Sequence, residues 1–182
     1  MELPDSIEVQ AQISMRHLMR ILHVYNLTAD HIVQLVCYIS SQEYYDIVKH
    51  IWSEQTKDLS AQKMLNCVVM PRLPKNAGVE WHAVATQQLP KTEYLEDQYS
   101  VKIHKIIPHM TFSTTKYRSI ENQDFESDNI VVYYSETSED FAEMLSSSCM
   151  LKNQTQLFPV ESLAEPDVKY FANSRKIAID SS

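Results

Sequence analysis

The chain has 182 residues, a net charge of -8 and a single glycine, where average usage would supply about 7%. So little glycine excludes a phosphate loop, a dinucleotide fingerprint and a nucleophile elbow, each of which needs glycines at fixed spacing. Sixteen Lys/Arg against twenty-four Asp/Glu disfavour nucleic acid as a partner, and no run approaches the ~20 apolar residues of a membrane span.

The first predicted element is a helix from about Val9 to Tyr25, with Ala11, Met15, Leu18, Leu22 and Tyr25 on one stripe. His31–Ile39 is a β-branched apolar run, expected to be a strand covered on both faces. Ser40 and Glu43 then fit a capping box for a second helix, whose apolar face is Tyr44, Val48, Ile51 and Trp52. Residues 54–62 are polar and read as a loop. Met64–Met70 is a third apolar run, Leu73–Gly78 a turn and Val79–Thr86 a strand. The order predicts an α+β half-domain with two helices on one face of a mixed sheet.

The second half has a different texture. Val101–Ile107, Thr111–Tyr117, Ile130–Tyr134 and Gln156–Val160 read as strands, with Lys169–Ala172 and Ile177–Ile179 as weaker ones. Thr137 to Asp140 would cap a short helix bearing Phe141, Met144 and Leu145. The acidic stretch Lys91–Gln98 is the expected linker, giving domains 1–88 and 89–182. No internal repeat is apparent.

Candidate chemistry is sparse. His17/His23 and His104/His109 are spaced six and five apart, not as a helical zinc pair, so no metal or other cofactor is expected. Cys37, Cys67 and Cys149 show no CxxC and read as reduced thiols of a cytoplasmic protein. The acidic opening Met-Glu-Leu-Pro-Asp does not read as a signal peptide. Glu139 and Asp140 suit a helix start, and Lys102, Lys105, Lys116 and Arg118 suit a solvated sheet face.

The informative stretch is Val68-Val69-Met70-Pro71-Arg72-Leu73-Pro74-Lys75-Asn76-Ala77-Gly78-Val79-Glu80-Trp81-His82-Ala83-Val84-Ala85. It resembles the signature hairpin of the YjgF/Rid family, the reactive-intermediate imine deaminases, and the preceding helix–strand–helix order agrees. Within that family, Ile21-Leu22-His23-Val24 and Val79-Glu80-Trp81 most resemble the C-terminal Rid-like module of eukaryotic diphthine–ammonia ligases. The resemblance spans residues ~5–87. It implies a chorismate-mutase-like fold, a homotrimer or a Rid-like neighbour module, and a structural motif of Arg72, Leu73, Pro74, Gly78 and Trp81.

The resemblance also implies a pocket, and here the chain departs from the pattern. Active relatives grip the substrate carboxylate with an arginine seven residues before the position of Arg72, where this chain has Leu65. Leucine cannot supply that bidentate fork. Glu80 falls on the acidic position that orients water, and Cys67 on a pocket cysteine. The family's opening hairpin has no counterpart before Val9, so the expected domain is a partial one, as of a fragment or an alternative product.

Three functions follow as expectations. The first is a non-catalytic Rid-like module of a diphthine–ammonia-ligase-type protein, acting in assembly or in binding a small metabolite or partner. The second is an enamine/imine deaminase hydrolysing 2-imino acids with Glu80. The third is an unrelated soluble α+β interaction protein.

Overall fold

The computed structural model describes residues 3–118, 129–135, 154–160, 162–165, 168 and 170–177. The chain divides into two units, Met1–Pro90 and Lys91–Ser182.

In the first unit, Ser6 opens α1 (Ile7–Val24). Its hydroxyl accepts from the Val9 amide, with Glu8 favourably placed in the first turn. Ala11, Met15 and Leu22 are buried at the predicted spacing, while Tyr25, just past the helix, is exposed. β1 (Ile32–Ile39) is buried at all positions but Gln34 and Tyr38, as its continuous apolar run requires.

Two local expectations fail here for identifiable reasons. Ser40 does not cap a helix, because its amide donates to the Gly78 carbonyl and so extends the ladder beyond β1. A short turn, Gln42–Tyr44, leads into α2 (Tyr45–Ser53), which buries Val48, Ile51 and Trp52. The supposed loop 54–62 holds α3 (Leu59–Lys63), capped by Asp58 Oδ1, which accepts from the Ser60 amide at 2.9 Å. The Trp52 indole N–H donates to the Ala61 carbonyl at 2.9 Å and ties α3 to α2.

β2 (Leu65–Val69) is buried throughout, and β3 (Val79–Ala85) alternates in exposure. These two strands do not form the expected hairpin. Both pair with β1, β2 parallel to it (Cys37↔Cys67) and β3 antiparallel (Cys37↔Trp81, Tyr38↔Glu80). A hairpin turn takes two to five residues; the longer Met70–Gly78 segment, with Pro71 and Pro74, carries the chain past β1 instead. α1 packs on β3 and α2, and α2 on β2, which gives the expected α+β layering.

The second unit is a six-stranded sheet in the order β4 (Lys91–Glu96), β5 (Ser100–Ile107), β6 (Met110–Tyr117), β10 (Tyr170–Ile177), β7 (Asn129–Ser135), β8 (Gln154–Val160). A two-residue strand, β9 (Ser162–Leu163), precedes β10. Only β7 and β8 run parallel in this sheet; the other pairs are antiparallel. The expected linker Lys91–Gln98 is therefore mostly strand, exposed at every position of β4 but Thr92. Of the two weak candidates, Tyr170–Ala172 and Ile177 fall in one continuous β10, while Lys169, Ala178 and Ile179 lie outside the described residues. The helix expected at Thr137–Leu145 and Cys149 lie outside the described residues.

The two units repeat one topology, which the sequence reading missed. In each, a strand (β1, β7) is followed by a parallel partner (β2, β8), and a third strand (β3, β10) returns antiparallel on the other side of the first. Short sequence echoes accompany it, Val79-Glu80-Trp81-His82-Ala83 against Val168-Lys169-Tyr170-Phe171-Ala172 and Ser40-Ser41-Gln42-Glu43-Tyr44 against Thr137-Ser138-Glu139-Asp140-Phe141.

Candidate functional site

Register decides which of the expected pocket residues can meet. Residues directly opposite in a ladder point to the same sheet face, and neighbours along a strand to opposite faces. Leu65 lies opposite Leu35, and Cys67 opposite Cys37, which in turn faces Trp81. These residues share one face. Glu80 and His82 lie opposite Tyr38 and Val36 on the other face, and both are exposed. The sheet thus brings Leu65 and Cys67 together and separates them from Glu80.

The environments differ as much as the positions. Leu65 and Cys67 are buried, with 3% and 2% of their surface exposed. Cys37 is fully buried beside Cys67, and burial, then its sulfur neighbour, pushes its thiol well above the ordinary range. A thiol held protonated is a poor nucleophile. Glu80 makes no hydrogen bond or ion pair among the described residues.

The structural motif is placed by the turn before β3. Leu73 is buried, whereas Arg72 and Pro74 are exposed. Lys75 and Asn76 adopt left-handed backbone (φ 57° and 56°), a conformation that asparagine tolerates better than most residues. Gly78 serves a different purpose from the expected turn. Its φ is not positive, but a Cβ there would lie 2.2 Å from Ile7 Cδ1. Its amide donates to Gln10 Oε1 at 2.9 Å, while Gln10 Nε2 donates to the Pro4 carbonyl. Gln10 was not legible as a partner, because on a helix face it reads as an ordinary polar residue. Trp52 is fully buried as expected; Trp81 is only half-buried, because β3 is the last strand of its sheet, and its indole N–H is buried with no partner among the described residues.

In the second unit, the lysines expected on a solvated face divide. Lys105 and Lys116 are buried, 3% and 6% exposed. Lys105 Nζ donates to Thr92 Oγ1 at 2.8 Å, and Lys116 pairs with Glu165. Buried ammonium groups need such partners. On the other face His104 Nδ1 is 2.7 Å from Ser113 Oγ, and burial lowers the affinity of its ring for a proton. Arg118 is tied to Glu96 at 2.7 Å and to the Asp97 carbonyl at 3.0 Å. Among the described residues no group of three His, Cys, Asp or Glu side chains is placed to hold a metal ion. No helix there is long and apolar enough to cross a membrane.

Residues 1–87 match the family model described as Endoribonuclease L-PSP, that is, the YjgF/Rid family. Among solved structures, a Thermotoga maritima MSB8 protein described as an endoribonuclease is similar, at 20% identity and TM-score 0.44, over 48% of this chain and 68% of that one. A Vibrio vulnificus CMCP6 protein described as a translation initiation inhibitor is similar at 23% identity and TM-score 0.41, over 47% of this chain and 69% of that one. Comparison with curated proteins found no match.

Proposed function

We propose that the first unit is a non-catalytic Rid-like module of a diphthine–ammonia-ligase-type protein, serving diphthamide biosynthesis on elongation factor 2. Its work on this reading is assembly, or binding of a small metabolite or partner, in the cytoplasm. A homotrimer or a second Rid-like module as neighbour belongs to the same reading.

The observation that carries it is the separation of Glu80 from Leu65 and Cys67. Imine hydrolysis needs a cation for the substrate carboxylate and a carboxylate for water within one pocket. Leu65 offers hydrocarbon, and Glu80 lies on the opposite face. The family match of residues 1–87 supports the Rid part of the reading, and the motif Ile21-Leu22-His23-Val24 with Val79-Glu80-Trp81 supports the ligase part. The endoribonuclease activity in the family's description is not carried over, since a net charge of -8 opposes phosphate binding.

The deaminase remains the second reading because Glu80 is retained and exposed. Ammonia release from 2-iminopropionate separates the two. The module reading expects the buffer rate for the wild type and for Glu80→Gln alike. A rate above buffer that Glu80→Gln abolishes would establish the deaminase. ATP-dependent amidation by the purified chain would overturn the expectation that this chain, with one glycine, has no nucleotide loop.

A further inference from the structure

The two sides of α1 differ. Ala11, Met15 and Leu22 are buried on one side. At about 3.6 residues per turn, Val9, Ile13, Arg16, Arg20 and Val24 run along the opposite side in steps of three and four. All of them are exposed; Val24 is 76% exposed, and Ile21 at the margin of the stripe 59%. Arg16, His17 and Arg20 make no hydrogen bond or ion pair among the described residues.

α2 shows how the same unit builds a helix side that meets only water. Asp46, Lys49 and His50 are exposed there, with charges of both signs, and no large apolar side chain is. Single exposed apolar residues are ordinary, but a stripe of them along a whole helix marks an interaction surface. The charge of the stripe is as selective as its shape. The chain carries -8 overall, yet beyond Glu8 α1 has no acid, and two arginines stand in the middle of the stripe.

We infer that the outer face of α1 docks an acidic amphipathic helix of a partner protein. Apolar side chains of that helix cover Val9 and Ile13 at one end and Val24 at the other, a span of ~22 Å. Between them, two of its carboxylates about one turn apart meet Arg16 and Arg20, whose planar guanidinium groups grip carboxylates in a bidentate fork. A second copy of the chain does not fit, because its α1 offers those arginines no acid beyond Glu8. An anionic bilayer fits poorly as well. Helices that lie on membranes keep their cations off the apolar stripe, and a net charge of -8 opposes approach to a broad anionic surface.

The test titrates the full chain with a labelled synthetic helix that has leucines in its outer turns and two central glutamates at the spacing of Arg16 and Arg20. A twin peptide carries lysines in their place. Fluorescence anisotropy should show the glutamate peptide binding at least about tenfold tighter than its twin, the difference shrinking as salt is raised. Arg16→Glu with Arg20→Glu should reverse the preference. Ile13→Ser with Val24→Ser should weaken the glutamate peptide by at least about tenfold. These positions are exposed, and circular dichroism verifies that each variant folds. No binding of the glutamate peptide, equal binding of the two, or a preference that survives the double arginine change overturns the inference. So does sedimentation with phosphatidylserine vesicles in place of peptide binding, which assigns the face to a lipid surface. Each of these results leaves the non-catalytic reading intact, since that rests on Leu65 and Glu80.

Discussion

At the scale of single residues, the lone glycine is where composition turns into geometry. A Cβ at Gly78 would meet the terminal Cδ1 of Ile7 at 2.2 Å, so a larger residue there must displace that methyl, while backbone conformation makes no demand for glycine. Gly78→Ala should therefore lower stability by about 0.5–1 kcal/mol, the cost of turning the Ile7 side chain aside. Ile7→Val removes the clashing Cδ1 and should recover most of that loss, which paired urea melts of the single and double variants will measure. The buried Cys37 gives a second expectation. Its thiol stays protonated well above neutral pH, so Cys37 should resist alkylation in the folded chain and react only on unfolding. Mass spectrometry after iodoacetamide treatment, with and without denaturant, reads this directly. His104 makes stability depend on pH. Burial lowers its folded pKa below the ordinary 6.5, so the unfolded chain binds more protons there, and stability falls as pH drops below about 6.5. His104→Gln should flatten the stability of the second unit between pH 7 and pH 5.

At the scale of elements, what could be read ahead was whatever a single stretch of chain decides. α1, β1, α2 and β2 follow from periodicity and apolar runs, because each buries its own pattern. α3 was missed because five residues carry no period; it is held by the Asp58 cap and by Trp52 reaching Ala61. Asp58→Ala should fray α3 at a cost of about 1 kcal/mol, visible as a change in Trp52 emission. The burial of Lys105 and Lys116 was equally hidden, since it depends on Thr92 and Glu165 being brought in from other strands. The candidate site shows the same limit. The resemblance named Leu65, Cys67 and Glu80 together, but which sheet face each occupies depends on strand register. Composition and spacing do not fix that register, and a slip of one residue exchanges the faces.

At the scale of the whole molecule, the chain sets out one β-crossover-β-β topology twice, in units whose sequences share only short echoes. Such divergence is expected where the pattern of buried faces, not particular residues, defines a fold. In the first unit the arrangement keeps an exposed carboxylate on one face and a wholly apolar position, Leu65, on the other. That split is the central claim, and restoring the missing cation tests it most directly. Ammonia release from 2-iminopropionate should stay at the buffer rate in both the wild type and Leu65→Arg, because an arginine at position 65 would share the face of Cys37 rather than that of Glu80. Hydrolysis above buffer by either protein, lost again when Glu80 is changed to Gln, would contradict the account.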